Sequence, residues 1–192
     1  MRQSPDRDCG NQLRSYTPAE NFHFVCATNS HIGKLTVAIV NQIDMRAKVA
    51  QEKLIKEGPI PYSIIHSTQF YEFAKRIADE ATTGNSVRVP PVLFQPIAAD
   101  DVVSALLKVS TSSPLNGAIE IAGPEQFRFD ELVRLRLSAL NDPREVIADP
   151  NARYFGAKMS EDSLVPIGAA QLGEKRFDAW LKQVAKAASQ VG

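Results

Sequence analysis

Short β-type apolar runs alternate along this chain with longer segments whose apolar residues recur at helical spacing, and that alternation leaves few folds open. Residues 22–28 (FHFVCAT) and 35–40 (LTVAIV) are β-branched or aromatic runs, and Tyr62–Ser67, Ser86–Val89 and Gly117–Ala122 follow the same pattern. Between them Ile43, Ala47, Ala50 and Leu54 recur at i, i+4, i+7 and i+11, with Arg46, Lys53, Lys56 and Glu57 off that stripe. This spacing predicts an amphipathic helix with an apolar face along those four residues, stopped by Gly58-Pro59. Further helices are expected over 71–82, ended by Gly84, and over 100–110, 129–140 and 175–189, the last with a Phe177/Trp180 edge for the core. Strands alternating with helices of this length imply βα units, hence an α/β fold with a mainly parallel sheet and helices on both faces. The runs at 22–28 and 35–40 lie too close for a parallel crossover. If both are strands, they are antiparallel neighbours or do not adjoin.

The first 20 residues are polar, without periodicity, and carry Pro5, Gly10 and Pro18. They read as part of a loosely ordered leader over 1–30, ahead of a single domain over 31–192. The 192 residues hold 22 Lys+Arg against 22 Asp+Glu, a net charge of zero, with no basic run. That excludes direct nucleic-acid binding through phosphate neutralisation. No apolar window is long enough to span a membrane and none resembles a secretory signal, so a cytoplasmic protein is expected. Cys9 and Cys26 have neither CxxC spacing nor a histidine cluster, and His23, His31 and His66 lack metal-ligand spacing. Free thiols and no metal site are expected.

In open parallel sheets, ligands sit beyond the carboxyl ends of the strands, which directs attention to Ser67-Thr68-Gln69-Phe70 and to the loop after Val40. Asp100 and Asp101 resemble a carboxylate pair for acid–base work. They fall where a helix begins, however, and are expected to cap it, as are Asp130 and Glu131.

The stretch MRAKVAQEKLIKEGPIPYSIIHSTQFYEF, followed by VRVPPVLFQPIAADDVVSALL, NGAIEIAGPEQFRFDELVR and DPNARYFGAKMSEDSLVP, resembles the C-terminal part of NmrA-like, atypical short-chain dehydrogenase/reductase proteins. The resemblance covers about Asp44 to Trp180 and implies a partial Rossmann-like domain related to NAD(P)-binding proteins. The family's glycine-rich turn, whose N–H groups hold the pyrophosphate, has no counterpart: Gly10 and Gly33 do not match its spacing. The chain is also short for the family, so a truncated domain is expected.

The family's Tyr-x-x-x-Lys aligns with Asp44-Met45-Arg46-Ala47-Lys48. The lysine is present, but Asp44 replaces the tyrosine, and a carboxylate beside a cation is a poor proton donor. Lys48 is therefore a weakened catalytic residue that the resemblance also places against a nicotinamide ribose. An exposed charge pair at a helix start is the other reading. Thr68, Gln69 and Phe70 correspond to the turn lining the nicotinamide, or are simply a strand-to-helix turn. Tyr154 and Phe155 are a substrate-pocket wall for a small apolar or aromatic substrate, or core packing. The expected function is NAD(P) binding with weak or no independent oxidoreductase activity. The alternatives are a non-catalytic redox-sensing or protein-binding regulatory module and a non-functional truncated reductase copy. Loss of the front of the sheet would leave an edge exposed, and a homodimer through that edge is expected.

Overall fold

The computed structural model describes residues 24–29 and 42–191, with side chains over 48–186. The main sheet is parallel throughout and runs in the order β1 (Phe24–Asn29), β2 (Tyr62–Ser67), β6 (Gly117–Ala122), β9 (Gln171–Leu172). Helix α1 (Gln42–Glu57) connects β1 to β2, and α3 (Ala99–Ser110) precedes β6. His66 meets Glu52 of α1, whereas Ile65 clusters with Val102 and Val109 of α3. Because neighbouring strand residues point to opposite faces, the two helices cover opposite sides of the sheet. The α/β expectation of a mainly parallel sheet with helices on both faces is met.

A second layer is inserted between β2 and β6 and continues after β6. A 3-10 turn (Tyr71–Phe73) leads into α2 (Ala74–Glu80), followed by β3 (Thr82–Thr83), β4 (Ser86–Val89) and β5 (Leu93–Phe94). After β6 come β7 (Phe127–Arg128), α4 (Phe129–Ala139) and β8 (Glu145–Ala148); α5 (Phe177–Val191) follows β9. Strands β3, β4 and β8 form one small sheet, and β5 pairs with β7. The larger apolar core lies here. Tyr71, Phe177 and Trp180 meet with ring centroids 5.1–5.6 Å apart, and Trp180 is only 5% exposed, as its helical spacing implied.

Several expectations need correction. The helix expected over 71–82 stops at Glu80, where the Thr82 hydroxyl donates to Ala78 O (2.7 Å), and the next residues pair as a hairpin. Gly84, with φ of 62°, belongs to that hairpin's turn rather than to a helix end. On α1 the apolar stripe does not face inward: Ala50 is exposed and Leu54 is 72% exposed, while Gln51, Glu52 and Ile55 are half-buried. The Glu52–His66 contact, 2.9 Å, turns the helix that way. Strand β1 falls on the run at 22–28, ahead of the domain start placed at 31. The run at 35–40, the loop after Val40, residues 1–23 with Cys9 and His23, and His31 lie outside the described residues.

A buried-edge ion cluster ties the second layer together. Arg144 donates to both carboxyl oxygens of Asp142, to Asp79 (2.8 Å) and to Thr82 (2.7 Å), so one guanidinium links the α4–β8 turn to the end of α2. Hydrogen bonds from the Arg144 side chain, then its backbone N–H, pull the Asp142 carboxyl down to about 2. A lowered carboxylate pKa contributes stability that is fully present above the ordinary range near ~4 and is lost as pH falls through the folded value. R144A is therefore expected to lower Tm at pH 6, with the gap to the parent narrowing as pH drops toward 2. Thermal melts across that range, with a gap that stays constant as the counter-result, check it.

Candidate functional site

The carboxyl end of β2 is where the chain departs from its sheet, and the departure is held by main-chain bonds. Thr68 N–H donates to Ile121 O (3.1 Å), Ile97 N–H to Gln69 O (2.8 Å) and Tyr71 N–H to Ile97 O (3.0 Å). Phe70 bridges to Ile97 and stacks on Phe73 at 5.4 Å, so its ring is committed to packing. Segment 95–97 can cross the end of β6 because Gly123 has no side chain: a Cβ there would lie 1.7 Å from Pro96 O. Gln95 completes the crossing by donating from Nε2 to Gly123 O (2.9 Å).

Thr68 is sealed completely, at 0% exposure, and its hydroxyl has no hydrogen-bond partner among the described residues. A buried unpaired hydroxyl costs about 1–3 kcal/mol, so its retention marks the position. Gln69 beside it is 6% exposed.

The bond from Thr68 to Ile121 extends the strand ladder by one residue, and alternation then sets Thr68 on the α1 face with His66. Helix α1 crosses back between two parallel strands and so runs antiparallel to β2. Lys48 precedes Glu52 by one turn, about 6 Å. Thr68 lies two residues past His66, about 6.6 Å. Lys48 therefore lies one turn nearer than Glu52 to the end of the sheet at which β2 finishes. It is exposed, with its ammonium 3.5 Å from Gln51 Oε1. Asp44 is one further turn along α1; its side chain is outside the described residues. Burial alone would raise the Glu52 carboxyl, but hydrogen bonds and charge from Lys56 and His66 outweigh it and hold the group below the ordinary carboxylate range. This pair was missed in sequence because a hydrophobic stripe cannot reveal it.

The helix N-termini of the body hold the protein's own carboxylates. Glu72 accepts from Ala99 N–H at the start of α3 (3.4 Å), and Glu125 accepts from Phe177 N–H at the start of α5 (2.8 Å). Asp130 and Glu131 occupy the first turn of α4. The capping expected of Asp100, Asp101, Asp130 and Glu131 is corrected: they lie in the first turns of α3 and α4, but the N-cap positions are Ala98 and Arg128, neither of which makes a side-chain cap bond. Asp101 instead accepts from Lys175 N–H (3.0 Å), Asp100 pairs with Lys175 Nζ, and Asp130 pairs with Arg134 (2.6 Å). Helix N-termini are natural phosphate sites, and those of α3 and α5 already donate to the protein's own carboxylates. Among the described residues no glycine-rich turn is present to anchor a pyrophosphate. Among those residues no group of three or more His, Cys, Asp or Glu could hold a metal. No described helix is long and apolar enough to cross a membrane.

Tyr154 and Phe155 lie elsewhere. They line a cleft of about 120 Å³ with Ile77, Val89, Pro90 and Phe129. Seven residues of helical chain, a rise on the order of 10 Å, separate Phe70 from Ile77, the first cleft residue on α2. The structure brings Tyr154 and Phe155 together, but not to Thr68. Tyr154 and Ala157 exchange both backbone bonds (2.9 Å each) around Phe155 and Gly156, whose φ values are 46° and 84°. A phenylalanine in the left-handed region costs on the order of 1–3 kcal/mol. Arg153 and Glu80, also at this cleft, were not singled out in the sequence, although Arg153 adjoins the Tyr154-Phe155 pair.

No family model and no curated protein matches this chain. Solved structures do. One is RMD from Pseudomonas aeruginosa complexed with NADPH, at 12% identity and TM-score 0.51, with 94% of this chain and 68% of that one covered. A short-chain dehydrogenase/reductase superfamily protein from Agrobacterium tumefaciens with bound NAD matches at 11% and 0.55, covering 88% and 67%. UDP-glucose 4-epimerase from Thermotoga maritima with UDP-glucose matches at 12% and 0.53, covering 88% and 63%. At these identities what is shared is the fold, the Rossmann-like α/β fold of NAD(P)-binding reductases and epimerases, and the chain spans about two thirds of their length.

Thr68→Val removes the unpaired hydroxyl while keeping the branch. It is expected to raise stability by about 1 kcal/mol, or Tm by about 3 °C. Calorimetric melting checks this, and a lowered Tm would show that the hydroxyl is satisfied.

Proposed function

We propose that this protein binds a nicotinamide dinucleotide by its nicotinamide end, at the rim where β2 and β6 finish, and has little independent hydride-transfer activity. The sealed, unpartnered Thr68 hydroxyl carries this reading. Thr68 is sealed in this conformation and would meet the carboxamide only once the packing over it shifts aside; Gln69 would flank the ring, and Lys48, on the facing helix, would reach the ribose hydroxyls. The group supplies hydride chemistry when bound. What this chain adds is a hydroxyl held out of water and a cation on the facing helix. Asp44, where the resembling proteins carry tyrosine, supports the low activity, since a carboxylate does not readily protonate a carbonyl. The NmrA-like relationship belongs to this proposal and is supported by the quoted motifs.

Calorimetric titration tests it with two ligands. If the pyrophosphate contributes little, reduced nicotinamide mononucleotide binds within about tenfold of NADPH, both near ~0.1–1 mM, and T68V weakens both at least tenfold. Micromolar NADPH affinity together with hydride transfer to a quinone or carbonyl would overturn the reading. So would NADPH binding that T68V leaves unchanged.

A second reading, a protein-binding or redox-sensing module acting as a homodimer, is favoured by the position of β1. Among the described residues this strand pairs only with β2 and is the outer strand of the sheet. An open edge offers unpaired N–H and C=O groups to another strand. Light scattering at micromolar concentration is expected to give twice the monomer mass of 21.1 kDa; a single monomeric species counts against it.

A further inference from the structure

The cleft at the far end of α2 has a chemistry that the rim does not share. Its walls are apolar and aromatic, from Ile77, Val89, Pro90, Phe129 and Tyr154, with Phe155 at its side. Its polar groups are mostly donors. The Tyr154 phenol is 5% exposed, and no described residue hydrogen-bonds its oxygen. Burial first, and the charge of Glu80 second, push that phenol well above the usual tyrosine range, so it remains a proton donor. Arg153 is held by one bond from Nη1 to Gly156 O (3.1 Å), and among the described residues it has no carboxylate partner. The acidic group at the cleft, Glu80, is already paired with Arg76 at 2.9 Å. An occupant must therefore combine an apolar body with hydrogen-bond acceptors, best carrying negative charge.

Size narrows the class. A cavity of about 150 Å³ accommodates benzene, whereas sites for larger ligands measure roughly 300–1,000 Å³. At about 120 Å³ with an open mouth, this cleft takes one ring and leaves a polar substituent at the edge. It is too small for a dinucleotide or a nucleotide sugar. We propose that it is a binding site for a monocyclic aromatic carboxylate, whose ring lies against the exposed Phe155 over the buried floor of Pro90, Phe129 and Tyr154 and whose carboxylate meets the Arg153 guanidinium and the edge of the Tyr154 phenol. Seven residues of helical chain separate Phe70 from Ile77, the first cleft residue on α2, a rise on the order of 10 Å and well beyond the ~3–3.5 Å needed between reacting atoms. The ligand here is thus an effector-type occupant and not a hydride acceptor. The site keeps the aromatic ligand expected for Tyr154 and Phe155 but does not rest on dinucleotide binding.

The test is calorimetric titration with benzoate, without dinucleotide, compared with benzyl alcohol and acetate. Benzoate is expected to bind with Kd of about 1 mM or tighter, benzyl alcohol at least tenfold more weakly, and acetate not at all. R153Q changes an exposed side chain and is expected to keep the parent Tm while losing benzoate affinity at least tenfold; Y154F is expected to lose about fivefold. F155G relieves the left-handed residue, so it is expected to melt higher yet bind more weakly. Absence of benzoate binding at 10-fold that Kd overturns the proposal. So does equal binding of benzyl alcohol, or parent-like affinity in a folded R153Q. None of these outcomes bears on NADPH, which is measured separately.

Discussion

The crossing of Pro96 over the end of β6 is a contact only glycine allows, because any Cβ on Gly123 would overlap the Pro96 carbonyl. The rim is built on it. Once segment 95–97 lies against β6, Ile97 is in place to donate to Gln69 and accept from Tyr71, and the turn after β2 has a single path. On that path Thr68 is buried, and its hydroxyl has no partner among the described residues. The polar residue of the rim is therefore a product of backbone packing at the end of the neighbouring strand. A substitution at Gly123 would reach it without touching it.

The body handles its charges in a consistent way. Glu72, Asp101 and Glu125 each accept from a backbone N–H or a ring N–H belonging to a distant element, and Glu72 also receives Trp180 Nε1 at 3.1 Å. Acidic residues serve here as docking pins at helix starts, where the dipole favours them. Lys48 and Arg153 have no carboxylate partner among the described residues: the first lies beside Gln51 on α1, the second holds Gly156 O at the edge of the Tyr154 cleft.

Long, periodic elements were legible in the sequence. Strands β2, β4 and β6 and helices α3 and α4 fall where alternation and helical spacing place them. Strands β3, β5, β7 and β9 have two residues each, too few to alternate, and in β8 the apolar Val146, Ile147 and Ala148 are consecutive and do not alternate. The orientation of α1 was misread because Glu52 turns inward toward His66, leaving Leu54 outside. Asp100 and Asp101 were placed at a helix start but not joined to Lys175, some 75 residues on. The turn at Thr68–Phe70 was visible as a position. Its missing hydrogen-bond partner was not, since partnering is decided by residues from β6 and segment 95–97.

Tyr71 and Glu72 directly follow that turn, and both are fastened to the far end of the chain. The Tyr71 hydroxyl donates to Lys175 O across 104 residues, and Trp180 reaches Glu72 across 108. Contacts of such sequence separation form late, because the loop between them must close first. During synthesis the rim stays incomplete until α5 has emerged and docked. The fastening of the turn after β2 thus waits on α5, and a chain that stalls before Trp180 has the strand but not its anchored turn.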